Sequence, residues 1–191
     1  KHLYYEPGQT PAVTGAALKS AVLGLSAGQR LVIHAGNYYI GSYFGPNLIG
    51  SHGSPIAIES HGTDLVEISS DINHNIIDLW GSYVIIRGIS FTGGSMAIRL
   101  HACDHIWIDR CHIHHTPEAA LTANQNDTNN IHITNNEIDH TSGTGEGMYL
   151  GANYGAVIMH SSFIVGNHVH HTGGSQGDGI ELKQGSWGNL I

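Results

Sequence analysis

HIHHT at 112–116, EIDHT at 137–141 and HVHHT at 168–172 are one phrase written three times. Each closes a longer match. YVIIRGISFTGG, HIWIDRCHIHHT, NIHITNNEIDHT and SFIVGNHVHHT align as a strand-like alternation, a polar pair, one special residue, a polar residue and a branched or aromatic apolar residue. The special column reads Ile89, Cys111, Asn136 and Asn167; the apolar column two places on reads Phe91, Ile113, Ile138 and Val169. Successive copies lie 22, 25 and 31 residues apart, because one connecting loop lengthens. A unit of this length with short strands cannot bury its own inward face, and only stacking on its neighbours does so. Strands that recur in the same direction along a coil pair in parallel.

A second strand precedes each of these. It reads AIRLH at 97–101, ALTA at 120–123, GMYLG at 147–151 and GIELK at 179–183. Strand side chains alternate between faces. The expected inward columns are Ile98, Ala120, Met148 and Ile180, then Leu100, Thr122, Leu150 and Leu182. Ahead of the repeats, TPAVTGAALKSAVLGLSAGQ predicts a helix over about 11–27. Thr10 suits its N-cap, Pro11 its first turn and Gly28 its end. Val13, Ala16, Ala17, Ala21, Val22 and Leu25 would form its apolar face. The chain divides into an N-terminal part, 1–55, holding the helix and first strands, and rungs over 56–191. Only 12% of residues are charged and 26 are Gly, which suits short strands and turns and not a helical bundle.

GSYVIIRGISFTGG, with the HIWIDRCHIHHT and NIHITNNEIDHT rungs, resembles the right-handed parallel β-helix superfamily typified by pectate lyases. The resemblance covers nearly the whole chain, and the N-terminal helix resembles the cap that closes one end of such a coil. It implies an all-β solenoid with an N-terminal capping α-helix. WGNLI ends midway through a rung, so further rungs or a second chain are expected over an open end. The chain opens KHLYY without Met, which fits a trimmed N-terminus and a secreted, periplasmic or cell-surface location. The net charge is −8 with no basic stripe, against a nucleic-acid partner, though protonating the 16 histidines would reverse its sign. No stretch is long and apolar enough to span a membrane as a helix. Cys103 and Cys111 flank a straight strand, so two free thiols are expected, with Cys111 buried.

Stacked rungs make columns about 4.8 Å apart. His115, His140 and His171 form one, each followed by Thr; His114, Asp139 and His170 form another. A metal site is one reading of them. A straight column points its ligands in parallel, however, which favours a turn closed once per rung. The Asn136–Asn167 column reads as a ladder that satisfies turn amides and carbonyls.

Unrepeated residues face outward on the preceding strand: Arg99 and His101, Leu121 and Ala123, Tyr149 and Gly151, Glu181 and Lys183. The loop before it supplies Glu118, Glu146 and Asp178, and lengthens from PEA to SGTGE to GGSQGD. A solvated charged face and a binding cleft are both consistent with this. As a site, the ingredients match β-elimination on an acidic, uronic-acid polysaccharide by a lyase or epimerase. Lys183, His101 or Tyr149 would be the base. Arg99, or a cation on Glu146, Asp178 and Glu181, would neutralise the enolate. Glu118, Glu181 and the stacked His115, His140 and His171 are candidate sugar contacts. The family resemblance implies Ca²⁺ as neutraliser and Lys or Arg as base. A glycoside hydrolase using paired carboxylates, and a non-catalytic carbohydrate-binding, adhesive or spike-type coil, are the alternatives.

Overall fold

The computed structural model describes residues 1–6 and 8–191. Every strand pairing is parallel, and the strands wind into a coil with three faces. The first face stacks residues 77–80 and 98–101, Leu121–Ala123, Met148–Leu150 and Ile180–Leu182, while Asn47–Ile49 pairs with residues 80–82 where that face turns its corner. The second runs from His2–Leu3 and Arg30–Ile33 through Ile56–Ser60, 84–87 and 106–109 to His132–Thr134 and Phe163–Val165. The third stacks Gly36–Tyr39, Val66–Ser70, Ser90–Gly93, His112–His114, Glu137–Asp139 and His168–His170. Coiling therefore begins at Arg30, ahead of the change in sequence pattern near residue 56. Ile77–Arg87 and Ile98–Asp109 are each one long strand because they bend around the first corner. The bends fall at residues with left-handed backbone, Gly81 and Tyr83 in one and Ala102 and His105 in the other.

The predicted third-face column is present: Phe91, Ile113, Ile138 and Val169 are register partners. On the first face one course differs by a residue. Leu121, not Ala120, aligns with Ile98 and Met148, so Leu121 and Ala123 point inward and Thr122 joins the outward column. ALTA has no polar–apolar alternation to fix its phase. The bulk of Leu121, fully buried, sets it instead. The interior is a stack of Ile and Leu, each contributing about 1.5–3 kcal/mol by burial.

Two corners recur in the later courses, from Ile77 onward. Between the second and third faces, Gly88, Arg110, Asn135 and Gly166 all hold positive φ (68°, 51°, 55° and 71°). The special column follows. Asn136 Oδ1 accepts the Cys111 amide (2.9 Å), and its Nδ2 donates to the Ile108 carbonyl (3.0 Å) and Asn167 Oδ1 (2.9 Å). Asn167 repeats the pattern toward the Asn136 amide and the Ile133 carbonyl. Where the chain leaves the third face, Gly93, His115, His140 and His171 are again left-handed, a region His enters more readily than most residues. The three imidazoles stack at 4.9 and 5.1 Å, within 3° and 6° of parallel. Thr116, Thr141 and Thr172 donate to the carbonyls of Glu118, Gly145 and Gly177 across the following loop. The His-Thr phrase is a corner piece.

The helix runs over Pro11–Leu23 and ends at Gly24, short of the expected 27. Its buried residues are Thr14, Gly15, Leu18 and Val22, while Val13 is exposed. The reason is contact with the Gly36–Tyr39 strand. A Cβ on Gly15 would sit 1.9 Å from the Tyr39 carbonyl oxygen, and Thr14 Oγ1 donates to the Asn37 carbonyl (2.6 Å). The helix turns its smallest residues to the sheet, and a count of apolar positions misses that. At the other end Trp187, Leu190 and Ile191 are exposed. Both cysteines are free and buried, and burial raises each thiol pKa to about 12.

Candidate active face

The outward residues of the first face form two neighbouring columns. One holds Asp78, Arg99, Thr122, Tyr149 and Glu181; the next begins with Trp80 and His101 and ends, past Gly151, with Lys183. They gather into two clusters. In the later one, Lys183 Nζ is bonded to Glu181 and lies 4.1 Å from the centre of the Tyr149 ring. The Lys183 side chain is 10% exposed. Burial draws its ammonium down, but bonds to Glu181 and Tyr149 outweigh this and hold its pKa above that of a free lysine. Gly151, in the left-handed region, leaves room for the Lys183 stem, 3.0 Å from where a Cβ would lie.

The earlier cluster is an imidazole–carboxylate pair. His101 Nε2 and Asp78 Oδ1 are 2.9 Å apart, Asp78 also accepts from Asn75 (3.0 Å), and His101 stacks on Trp80 at 4.0 Å. Arg99 lies beside them, with Nη2 3.0 Å from Met96 Sδ and a buried Nε without a partner. Arg99 and Tyr149 are two courses apart, about 10 Å. Of the residues expected here, the structure joins Tyr149, Glu181 and Lys183, and separately Arg99 and His101. Asp78, Trp80 and Asn75 were missed, because the strand alignment began at residue 97; IDLW at 77–80 was the available signal.

The loop carboxylates do not converge. Glu146 and Asp178 occupy adjacent courses, as the Ala120-to-Glu146 and Gly147-to-Asp178 backbone bonds require, and Glu118 sits one place earlier in its course. Glu146 is buried with one oxygen unpartnered, Asp178 is exposed, and Glu181 is tied to Lys183. Ca²⁺ takes 6–8 oxygens, and Glu146, Asp178 and Glu181 are not among the groups of three whose ligand atoms come together, so they do not fit it. The groups that do, among the described residues, are His34–His61–Asp64, His112–Glu137–Asp139 and Glu137–His168–His170. The loop itself is packed. Gly143, Gly145 and Gly174 have no room for a Cβ against the backbones of Pro117, Gly173 and Gly143. In each of these courses it lies along the chain between the exposed histidine of the His115–His140–His171 stack and the first-face strand that follows.

A three-faced parallel coil capped by a helix, with unlike charged residues on one outward face, defines a β-helix protein. The sequence matches the family described as "Right handed beta helix region" over residues 45–191, and the chain belongs to that family. The fold is similar to the crystal structure of alginate lyase from Paenibacillus sp. str. FPU-7, with a TM-score of 0.67 and 20% identity over 98% of this chain. The chain spans 63% of the length of that enzyme. No curated protein matches the sequence.

Proposed function

We propose that this chain is a polysaccharide lyase acting on a uronic-acid polymer, with Tyr149 and Lys183 at its reacting centre. The observation that carries this reading is the half-buried, charged Lys183 held between Tyr149 and Glu181 on an outward face. The fold shared with an alginate lyase supports it, and an exported or surface location accords with it. In β-elimination the proton beside the carboxylate leaves, a carbon–carbon double bond forms, and the bond to the glycosidic oxygen breaks as that oxygen gains a proton. Lys183 is held in its ammonium form, which suits it to neutralise the enolate and makes it a poor base. Tyr149 Oη, against that ammonium, would take the proton from the carbon beside the carboxylate and, as the phenol so formed, give it to the departing glycosidic oxygen. His101 lies three courses from Lys183 and cannot serve the same carbon. Arg99, two courses from Tyr149, suits the carboxylate of a neighbouring sugar. No step requires a cation.

Incubating the intact protein with alginate, pectate or chondroitin and following ultraviolet absorbance tests the reading. The unsaturated-uronide band should rise with one of them. New reducing ends without the band would assign hydrolysis, and polymer binding without either product would assign a binding coil; both overturn lyase action.

A further inference from the structure

We propose that His34, His61 and Asp64 form a binding site for a divalent transition metal of the zinc type at the N-terminal end of the coil. His34 follows the Arg30–Ile33 strand and His61 follows Ile56–Ser60, one course on. A tight turn, closed by the Asp64 amide on the His61 carbonyl (2.9 Å), brings Asp64 back over them. One ligand atom from each residue lies within 4.8 Å of the other two.

Four observations point to a metal. First, His34 Nδ1 and His61 Nδ1 lie 3.4 and 3.3 Å from the same oxygen, Asp64 Oδ2, and neither contact has hydrogen-bond geometry. A tetrahedral centre with bonds of 2.0–2.1 Å separates its ligand atoms by about 3.3 Å. Second, the other ring nitrogen of His34, Nε2, is 3.0 Å from His2 Nδ1. Metal-bound imidazoles commonly donate their second N–H to such an acceptor, which fixes tautomer and ring orientation. Third, Asp64 Oδ2 is oriented by the Ala35 amide (3.2 Å). Fourth, His34 is held between Tyr4 (4.1 Å) and His61 (4.4 Å), and the two imidazoles are tilted 28° from parallel, unlike the His115–His140–His171 stack at 3° and 6°. The other two groups lack this character. There His112 is hydrogen-bonded to Asp139 (2.6 Å) and His170 to Glu137 (3.2 Å), so the ligand atoms already satisfy one another.

Two imidazoles and one carboxylate suit zinc and leave a fourth position for water. Bound there, the ion ties the first two courses together, with His2 of the N-terminal strand braced behind it.

Chelator-treated protein is titrated with Zn²⁺ by calorimetry, and with Co²⁺ as a visible-absorption probe of geometry. The expected result is one site per chain, a tetrahedral Co²⁺ spectrum and a higher Tm with Zn²⁺. His61→Ala or Asp64→Ala should abolish that site, with an unchanged far-ultraviolet circular dichroism spectrum. His2→Ala should weaken it about 10- to 100-fold, and His112→Ala should leave it intact. Absence of stoichiometric binding, or binding that survives His61→Ala and Asp64→Ala, or binding lost with His112→Ala, overturns the proposal.

Discussion

The corner that leaves the third face and the first-face strand that follows it are only a few residues apart in each course, yet they are built by opposite rules. At the corner, His115, His140 and His171 adopt the same left-handed backbone and stack ring on ring. On the strand, Arg99, Thr122, Tyr149 and Glu181 share one column and are four different residues. A position recurs when every course makes the same demand on it, such as a backbone bend or an amide without a partner. A position on the outward face carries no such demand, so its residues are free to differ. Repetition marks what holds the coil together, and its interruption marks the positions that are free to vary.

The comparison can be broken by exchanging activity for stability. Lys183→Ala and Tyr149→Phe should each lower kcat at least about 100-fold on the responsive polymer, while urea denaturation midpoints stay near wild type. A large loss of stability with either would put both residues among the structural positions. Asn136→Ala is the reciprocal case. It leaves the Cys111 amide and the Ile108 carbonyl unpaired inside the coil, a cost of about 2–4 kcal/mol. Urea unfolding should register that cost, and kcat of the folded protein should hold. The finest test concerns Asp139, which sits between His114 and His170 in its column. Burial pushes its carboxyl up, but bonds from His140 and His112 outweigh this and hold its pKa at about 2. The folded state binds that proton less readily than the unfolded chain. Its stabilisation, about 2 kcal/mol, is therefore present above about pH 4 and lost as pH falls toward 2. Asp139→Asn should flatten that part of the acid limb in a pH series of thermal melts; an unchanged limb would remove Asp139 from the scaffold.

The coil was legible because stacking requires residues to recur at fixed places, and Phe91, Ile113, Ile138 and Val169 do. What was hidden depends on contacts that leave no period. ALTA took its register from the size of Leu121. The helix took its buried face from Gly15, where a missing methyl mattered more than an added one. Left-handed corners at Arg110 and His115 carry no glycine to announce them. Of the candidate face, the residue types and, outside ALTA, the side of the strand were readable. The division into two clusters was not, since the partners of His101 lie in a course below the alignment. His34, His61 and Asp64 lie ahead of the clearest repeats, and a search for recurring histidines passes them by.

The close seat of Gly15 on Tyr39 also bears on assembly. Gly36–Tyr39 is the last strand at its end of the third face, and a parallel edge of that kind is a template on which a further copy of the chain can add its own strands. The helix occupies that template at backbone contact distance. While the helix is seated, no further strand can pair at that position, so the same fit that positions it also closes this edge of the sheet.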